Sequence, residues 1–481
     1  MPQTVLKNLK KYVNNNAFQL FAVSCFALFL EMVVIRWLSS SIRIFAFLKN
    51  IPLIISFLGL GLGIMTTHPK IRLKENLLRI YALLVVILGT SKISSLSMAP
   101  IPTGDSLWVW WSSEVFLDTQ LRSSMSTIIA SWVGYIIVVT AILTLLFFLF
   151  FSIGQHIQER LRKFKPLDAY KYDLLGSIFG VLLFTLVSFL HTSPFWWVLI
   201  STILLLTLIK VNVKRALLLL FISFVTYIGT LGTYWSPYYR IDVREIMRGK
   251  DGTAGAVALT VNHVYFQQMA NFSEDYLGKY ANEEHKRVSV NYNLPYMFVK
   301  NPGDVLVVGA GGGNDVAAAL RHGAKSVDAV DIDPLILQLG EKLHPEKPYH
   351  NSNVTQIVDD ARSYFEKTDK KYDTIVYGLL DSHTTSSTFS NIRLDNFVYT
   401  LESFSAAKEH LKDGGNVILS FAAGKPWILS RISEMLEQVF DTEVLAFRRH
   451  KGSDGGIFVA GDNLNKDALE DEQVKNLRAN I

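Results

Sequence analysis

Two periodicities divide the chain. Up to residue 233, apolar residues run in long unbroken blocks at 17–38, 51–67, 77–97, 126–150, 169–190, 194–210 and 215–233. A helix crossing a bilayer's hydrocarbon core needs about 20 such residues. The pattern therefore predicts an N-terminal all-α, multi-pass membrane bundle of about seven helices, the second and sixth of them short. From about residue 236 the blocks give way to short runs. AVALTV and HVYFQQM, within 238–290, read as strands of a small β-rich part. Strand-like runs at 304–309, 326–333, 354–358, 373–380 and 416–421 then alternate with helical stretches at 315–322, 334–343, 361–367 and 396–411. Such alternation predicts a parallel, doubly wound α/β sheet, with ligands bound beyond the carboxyl ends of its strands. The expected divisions are a membrane domain over 1–233, a β-rich part over 234–300, an α/β domain over 301–462 and a polar tail over 463–481.

Composition sharpens the division. The chain is 50% hydrophobic, only 19% charged and carries a net charge of +5. That charge is a difference between a membrane half at +12 and a remainder at −7. The basic excess lies among apolar blocks, where membrane topology accounts for it better than nucleic-acid binding does. Fourteen Lys and Arg fall in the N-terminal segment and alternate loops, against three (Arg43, Lys49, Arg122) in the others. The positive-inside rule puts the first set in the cytoplasm, and seven crossings then carry the α/β domain outside. A cytoplasmic co-substrate argues for the opposite side, so the side is left open. The loop at 100–121, with Trp108, Trp110 and Trp111, suits a membrane–water interface. Glu31, Arg36 and Asp173 are ionisable residues in or near apolar blocks, where charge is costly and marks a candidate site. A structural ion pair between Glu31 and Arg36 is the plainer expectation. Gly59, Gly61 and Gly63, and the LGSIFG segment at 175–180, suit close helix packing. A single cysteine, Cys25, excludes an internal disulfide and a cysteine-rich zinc site. No metal-ligand spacing appears, and His263 and His322 stand alone.

The candidate chemistry lies at successive strand ends. Gly309, Gly311 and Gly313 form a G-x-G-x-G turn that brings backbone close to a ligand, followed by Asn314 and Asp315. This spacing is not the dinucleotide fingerprint G-x-G-x-x-G and weighs against NAD. Asp331 ends the second strand, where a carboxylate accepts from a ribose diol. Asp359 and Asp360 end the third, followed by Ala361, where adenine would be met. A single aspartate in such a place is commonly a loop cap, and the coincidence at several strand ends is what points to a site. The fourth strand ends in Tyr377-Gly378-Leu379-Leu380-Asp381-Ser382-His383, with Asp381 and His383, together with Tyr377, as candidates for orienting or deprotonating a nucleophile. The absence of G-x-S-x-G argues against a serine hydrolase.

With these residues the chain resembles the spermidine synthase-like (polyamine aminopropyltransferase) family, in the form fused to a multi-pass membrane domain. The likeness rests on YKYDLLGSIFG in the membrane half, and on GAGGGNDVAAALRHG, VDIDP, DDARSYF and KYDTIVYGLLDSH in the other. It implies a Rossmann-like (class I methyltransferase-type) fold preceded by a small β-domain. It implies a glycine loop bordering a sulfonium nucleoside, Asp331 on its ribose, and Asp360 with Ala361 at its adenine. Asn262, Gln267 and Tyr292 would face the substrate. The chain departs from the family where the amine is handled. Gly378 stands for the usual amine-activating aspartate, Gly312 for the acidic residue of the glycine loop, and Ala317-Ala318 for an Arg-Glu pair. The expected activity is a membrane-bound transferase using S-adenosylmethionine or its decarboxylated form, with no metal, passing an aminopropyl group to an amine. The alternatives are methyl or other alkyl transfer to a membrane-borne acceptor, or a non-catalytic nucleoside sensor or transporter. The expected partners are a lipid bilayer and a small-molecule amine or lipid-like acceptor, with a homodimer left open and nucleic acid excluded.

Overall fold

A computed structural model describes residues 15–48, 50–66, 73–94, 96–98, 125–210, 212–380, 397–422, 426–449 and 455–478. The apolar blocks fold as helices α1 (Asn16–Ser41), α2 (Arg43–Phe47), α3 (Asn50–Met65), α4 (Leu77–Thr90), α5 (Met125–Leu161), α6 (Pro166–Phe189), α7 (Pro194–Leu206) and α8 (Val213–Thr230). Four helical segments among the described residues, Asn16–Ser41, Trp132–Leu161, Pro166–Phe189 and Val213–Thr230, are long and apolar enough to cross a membrane, while α3 and α7 are shorter. α1 is the central post: Leu20, Phe26, Phe29 and Leu38 are fully buried, whereas α6 and α8 leave Leu182, Leu186, Leu220 and Phe224 exposed.

Small residues set the helix spacing. A Cβ on Gly63 would run into the Phe151 backbone, and one on Gly154 would lie 2.9 Å from Ile64 N. Gly176 and Gly180 likewise seat α6 against the α1 backbone at Phe21 and Cys25. Gly61 faces nothing within 4 Å, so only two of the three glycines in that run serve packing. No ion pair joins Glu31 to Arg36. Glu31 is buried with Oε1 unpartnered among the described residues. Ser24 Oγ donates to Asp173 Oδ1 at 2.5 Å, which ties α6 to α1.

The second half begins with an antiparallel sheet, β1 (Thr233–Trp235), β2 (Arg240–Arg248), β3 (Ala254–Val261) and β4 (Val264–Ala270). α9 (Glu274–Lys279) and α10 (Glu283–Asn293) follow. The larger domain then runs β5 (Asp304–Val308), α11 (Asn314–Arg321), β6 (Ser326–Asp331), α12 (Pro334–Leu343), β7 (Val354–Val358), α13 (Ala361–Lys367), β8 (Tyr372–Tyr377), α14 (Leu401–Glu409), β9 (Leu411–Phe421), α15 (Pro426–Phe440), β10 (Leu445–Arg448), β11 (Gly456–Gly461) and α16 (Glu472–Leu477). The sheet order is β10-β11-β9-β8-β5-β6-β7. Pairing is parallel through β7, β6, β5, β8 and β9 and antiparallel from β9 to β11 and from β11 to β10, so β11 alone runs against the other six. The sheet is therefore mixed, where the alternation predicted an all-parallel one. Strand alternation builds two cores: Val305 and Val307 face α11, α12 and α16, and Leu306 and Val308 face α13, α14 and α15. The expected polar tail is in part structural, because Val474 of α16 is fully buried and Leu464 bridges to Val299.

Contacts between the two halves gather at the carboxyl end of α1. Arg240 Nη1 reaches Ser40 O at 3.4 Å and pairs with Asp242 at 3.1 Å. Trp235, from β1, packs edge-on to Trp197 at 5.2 Å within the bundle core. At the opposite end of α1, Lys163 reaches Asn16 Oδ1 at 3.1 Å. The α/β domain and the basic loop at 162–165 thus lie at opposite ends of one helix.

Candidate active site

β5 ends at the glycine turn because its backbone must reverse without side chains. Gly309 has φ 72° and Gly313, which precedes α11, has φ 106°, a region that favours glycine. The turn is braced on several sides. Tyr349 Oη donates to Gly311 O at 2.8 Å, and Gln267 Oε1 accepts from Gly312 N at 3.3 Å. Asn314 donates from Nδ2 to Gln268 O at 2.6 Å and to Tyr292 Oη at 3.1 Å, which clamps β4 to α11.

Asp331 ends β6 beneath this turn. Its Oδ2 accepts from Gly311 N and its Oδ1 from Asp333 N, both at 2.9 Å. Burial pushes its carboxyl up to about 6, and these backbone N–H groups oppose the rise. Each carboxylate oxygen keeps a second lone pair, so the group can still accept from a diol. Asp360 caps α13: Oδ1 accepts from Arg362 N at 3.0 Å and Ser363 N at 3.1 Å. This is the loop-cap role, and it leaves Oδ2 for a ligand. Ala361 is buried behind it. Asp333 caps α12 through Leu335 N at 2.9 Å and is buried with Oδ2 unpartnered in the hydrogen-bond geometry.

Tyr238 lies within electrostatic reach of these carboxylates. Burial, then Asp333, Asp360 and Asp331, push its phenol up. The sequence did not single it out for the site, because it lies far from the strand ends in the chain. Arg36 arrives from α1: it donates to Ser188 Oγ and Ser236 O, its guanidinium lies 5.0 Å over Trp197, and Asp333 is within its electrostatic reach. The site therefore abuts the helical bundle.

Several expected residues take other positions. Tyr377 is fully buried, its hydroxyl 3.2 Å from Ser403 O and its ring against Phe404, so strand parity turns it into the core and away from the site. Asn262 sits at φ 49° in the β3–β4 turn and accepts from Arg240 N at 3.2 Å, which is a hairpin role. Asp315 follows the glycine turn in the first turn of α11 and lines a cleft with Tyr292, Ser420 and Arg449. Gln267 and Tyr292 do reach the glycine turn and α11. Asp381 and His383 lie outside the described residues. No cluster of metal-ligating side chains occurs among the described residues.

A mixed sheet whose order reverses beside β5, with a glycine turn there and acidic residues at the next two strand ends, defines a class I methyltransferase-type fold. Residues 272–478 match the spermine/spermidine synthase domain, and the C-terminal region carries that domain. Among curated relatives, a polyamine aminopropyltransferase of Korarchaeum cryptofilum is 28% identical over 123 residues, covering 25% of this chain and 36% of its own length. Polyamine aminopropyltransferase 2 of Hyperthermus butylicus is 28% identical over 186 residues, covering 37% of this chain and 59% of its own. The chain thus spans about a third to three-fifths of the length of these two relatives. Among solved structures, the spermidine synthase of Thermotoga maritima has a TM-score of 0.36 at 15% identity, covering 50% of this chain and 76% of that one. Human methyltransferase-like protein 13, solved with SAH, has a TM-score of 0.31 at 21% identity, covering 39% and 88%.

Proposed function

We propose that the protein is a membrane-bound transferase that binds a sulfonium nucleoside of the S-adenosylmethionine type and passes its aminopropyl group to an amine. The observation that carries this reading is Asp331, a half-buried carboxylate at a strand end whose two oxygens accept from Gly311 N and Asp333 N beneath the glycine turn. A Cβ on Gly311 would come 2.7 Å from Gln267 Oε1. The glycine turn leaves room for ribose against bare backbone, Asp331 would accept from its hydroxyls, and Asp360 Oδ2 with the Ala361 backbone would meet adenine. Sulfonium transfer needs little beyond proximity, alignment and a neutral nucleophile. The matched synthase domain and the aminopropyltransferase relatives support the aminopropyl group.

A second reading, transfer to a membrane-borne acceptor, is favoured by one observation: Arg36 and Ser236 bring the bundle to the nucleoside site. Purified protein is incubated with decarboxylated or ordinary S-adenosylmethionine and with amine and lipid extracts. Methylthioadenosine is expected. S-adenosylhomocysteine would replace aminopropyl by methyl transfer, and binding without turnover would replace the enzyme by a sensor.

The bundle is proposed to span the membrane with the basic loops and the α/β domain on opposite sides. In a Cys25→Ser background, Lys163→Cys and Lys325→Cys should label from opposite faces of sealed vesicles with an impermeant maleimide. Labelling from one face would refute the arrangement. The positive-inside rule expects Lys163→Cys to be the cytoplasmic one.

A further inference from the structure

The proposed transfer leaves the acceptor open, and one cleft bears on it. It lies by the carboxyl ends of β5 and β8, where the strand order reverses, and is lined by Asn291, Tyr292, Asp315, Leu379, Ser420 and Arg449. Its free space is about that of one water, room for an acceptor's amine nitrogen alone, so the rest of the acceptor would lie outside it. The Asp315 carboxylate stands beside the end of β8: a Cβ added at Gly378 would meet Asp315 Oδ2 at 3.2 Å and Gly309 O at 2.7 Å. A carboxylate that position 378 does not supply is thus brought to the same spot from the first turn of α11.

The cleft also holds a positive charge. Arg449 follows β10 and acts electrostatically on Asp315, opposing the rise to about 6 that burial causes. Its Nε is buried without a hydrogen-bond partner among the described residues. The other cation that acts on Asp315, Arg321, is already engaged with Glu346 at 2.7 Å. Tyr292 Oη accepts from Asn314 and keeps its own proton to donate. The cleft therefore offers one acidic group, one guanidinium short of a partner and hydroxyl groups. A polycation entering it would meet Arg449 as a like charge, which disfavours wrong partners. An amine whose nitrogen enters the cleft and whose anionic group, a few bonds away, stays outside it against the half-exposed Arg449 would satisfy both charges.

We infer that this cleft is the acceptor subsite, with Asp315 taking the nucleophile's proton and Arg449 selecting an amine that carries an adjacent anionic group, such as an aminoalkyl phosphate, over a linear polyamine. This rests on the transferase reading above. The amine nitrogen attacks the methylene carbon bonded to the sulfonium sulfur. The C–S bond breaks with its electron pair left on sulfur as a neutral thioether, and the N–H proton passes to Asp315. The anionic amine could be a soluble metabolite or a phospholipid headgroup, since both present the same chemistry.

The test uses the full chain in detergent or bicelles with decarboxylated S-adenosylmethionine and three acceptors: putrescine, phosphoethanolamine and phosphatidylethanolamine bicelles. Methylthioadenosine release is the readout. The wild type should favour one of the two phosphate-bearing amines over putrescine by at least about tenfold in kcat/KM. Which of the two is used identifies the source. Arg449→Gln should remove that preference, read as the ratio of kcat/KM between the phosphate-bearing amine and putrescine. Asp315→Asn should lower kcat about 100-fold or more for every acceptor, with nucleoside affinity within about twofold by calorimetry. A wild-type preference for putrescine, an equal loss for all acceptors in Arg449→Gln, or a nucleoside-binding defect in Asp315→Asn that accounts for its lost turnover would each overturn the inference while leaving the transferase intact. No methylthioadenosine from the wild type with any acceptor would instead overturn the transferase reading itself, and this inference with it.

Discussion

Glycine does opposite work in the two halves. In the bundle, Gly63, Gly176 and Gly180 have ordinary helical backbones and are filled against by another helix. In the α/β domain, Gly309, Gly311 and Gly313 all have positive φ and make the turn under which Asp331 sits. Carboxylates differ in the same sense. Asp331 is held by two backbone N–H groups at a strand end, while Glu31 sits among apolar helices with Oε1 unpartnered among the described residues. Small or acidic residues in an apolar block therefore speak first of packing. The same residues at strand ends speak of a ligand.

The contrast is broken most severely at Asp331. Asp331→Ala removes a charged acceptor of two ribose hydroxyls, each such bond being worth about 1.5–3 kcal/mol. Nucleoside affinity should fall about 100-fold or more by calorimetry, with the fold retained by circular dichroism. Unchanged affinity would refute the ribose assignment.

Next comes a pair of glycines in α3 that look identical in sequence. Gly63→Ala places a methyl group against the Phe151 backbone and should cost about 1–3 kcal/mol, read as a lower unfolding midpoint in detergent. Gly61→Ala meets nothing and should be neutral or stabilising by about 0.5–1 kcal/mol. Equal effects would mean that helix approach is not set by Gly63.

How far the sequence carries is visible in particular residues. The parallel strands were legible because each holds a short apolar run, four of the five ending in glycine or aspartate, and the glycine turn, Asp331 and Asp360 came with them. β10 and β11 were not, since LAFR and GIFVAG pair without an intervening helix and break the alternation. For the same reason Arg449, delivered by the end of β10, carried no spacing signal, and neither did Tyr238, which the β1–β2 connection brings within electrostatic reach of the aspartates. Tyr377 was misread because a period of two sends a strand-end side chain to either face, and only the packing of Phe404 decides which. The bundle's charged residues were misread for want of partners: Arg36 looks like a mate for Glu31 along α1, and its real partners lie 152 and 200 residues away.

That reach makes Arg36 the test of whether the halves act separately. Arg36→Ala frees the Ser236 carbonyl at the start of the segment that carries Tyr238, and removes a cation near Asp333. Nucleoside affinity should weaken about 5–10-fold, at the lower end of usual coupling energies, and Arg36→Lys should restore part of it. No change would show that the bundle only anchors the site.

The smallest effect is a pH dependence, and its sign separates binding from folding. The Asp331 carboxyl is pushed up to about 6 by burial. A group raised in the folded state favours folding below its unfolded value near 4, and that contribution is lost as pH rises through about 6. The ligand-free domain should therefore gain stability from this group on mild acidification. Ribose hydroxyls prefer the ionised acceptor, so affinity should move the other way and fall about fourfold between pH 7.5 and 5.5. Binding at pH 6 should release a fraction of a proton, seen as a dependence of calorimetric enthalpy on the ionisation heat of the buffer. Asp333 and Tyr349 also face Asp331, so the assignment is checked in Asp331→Asn, where the slope of affinity with pH should vanish. If the slope persists there, the titrating group is another and the raised Asp331 does not govern binding.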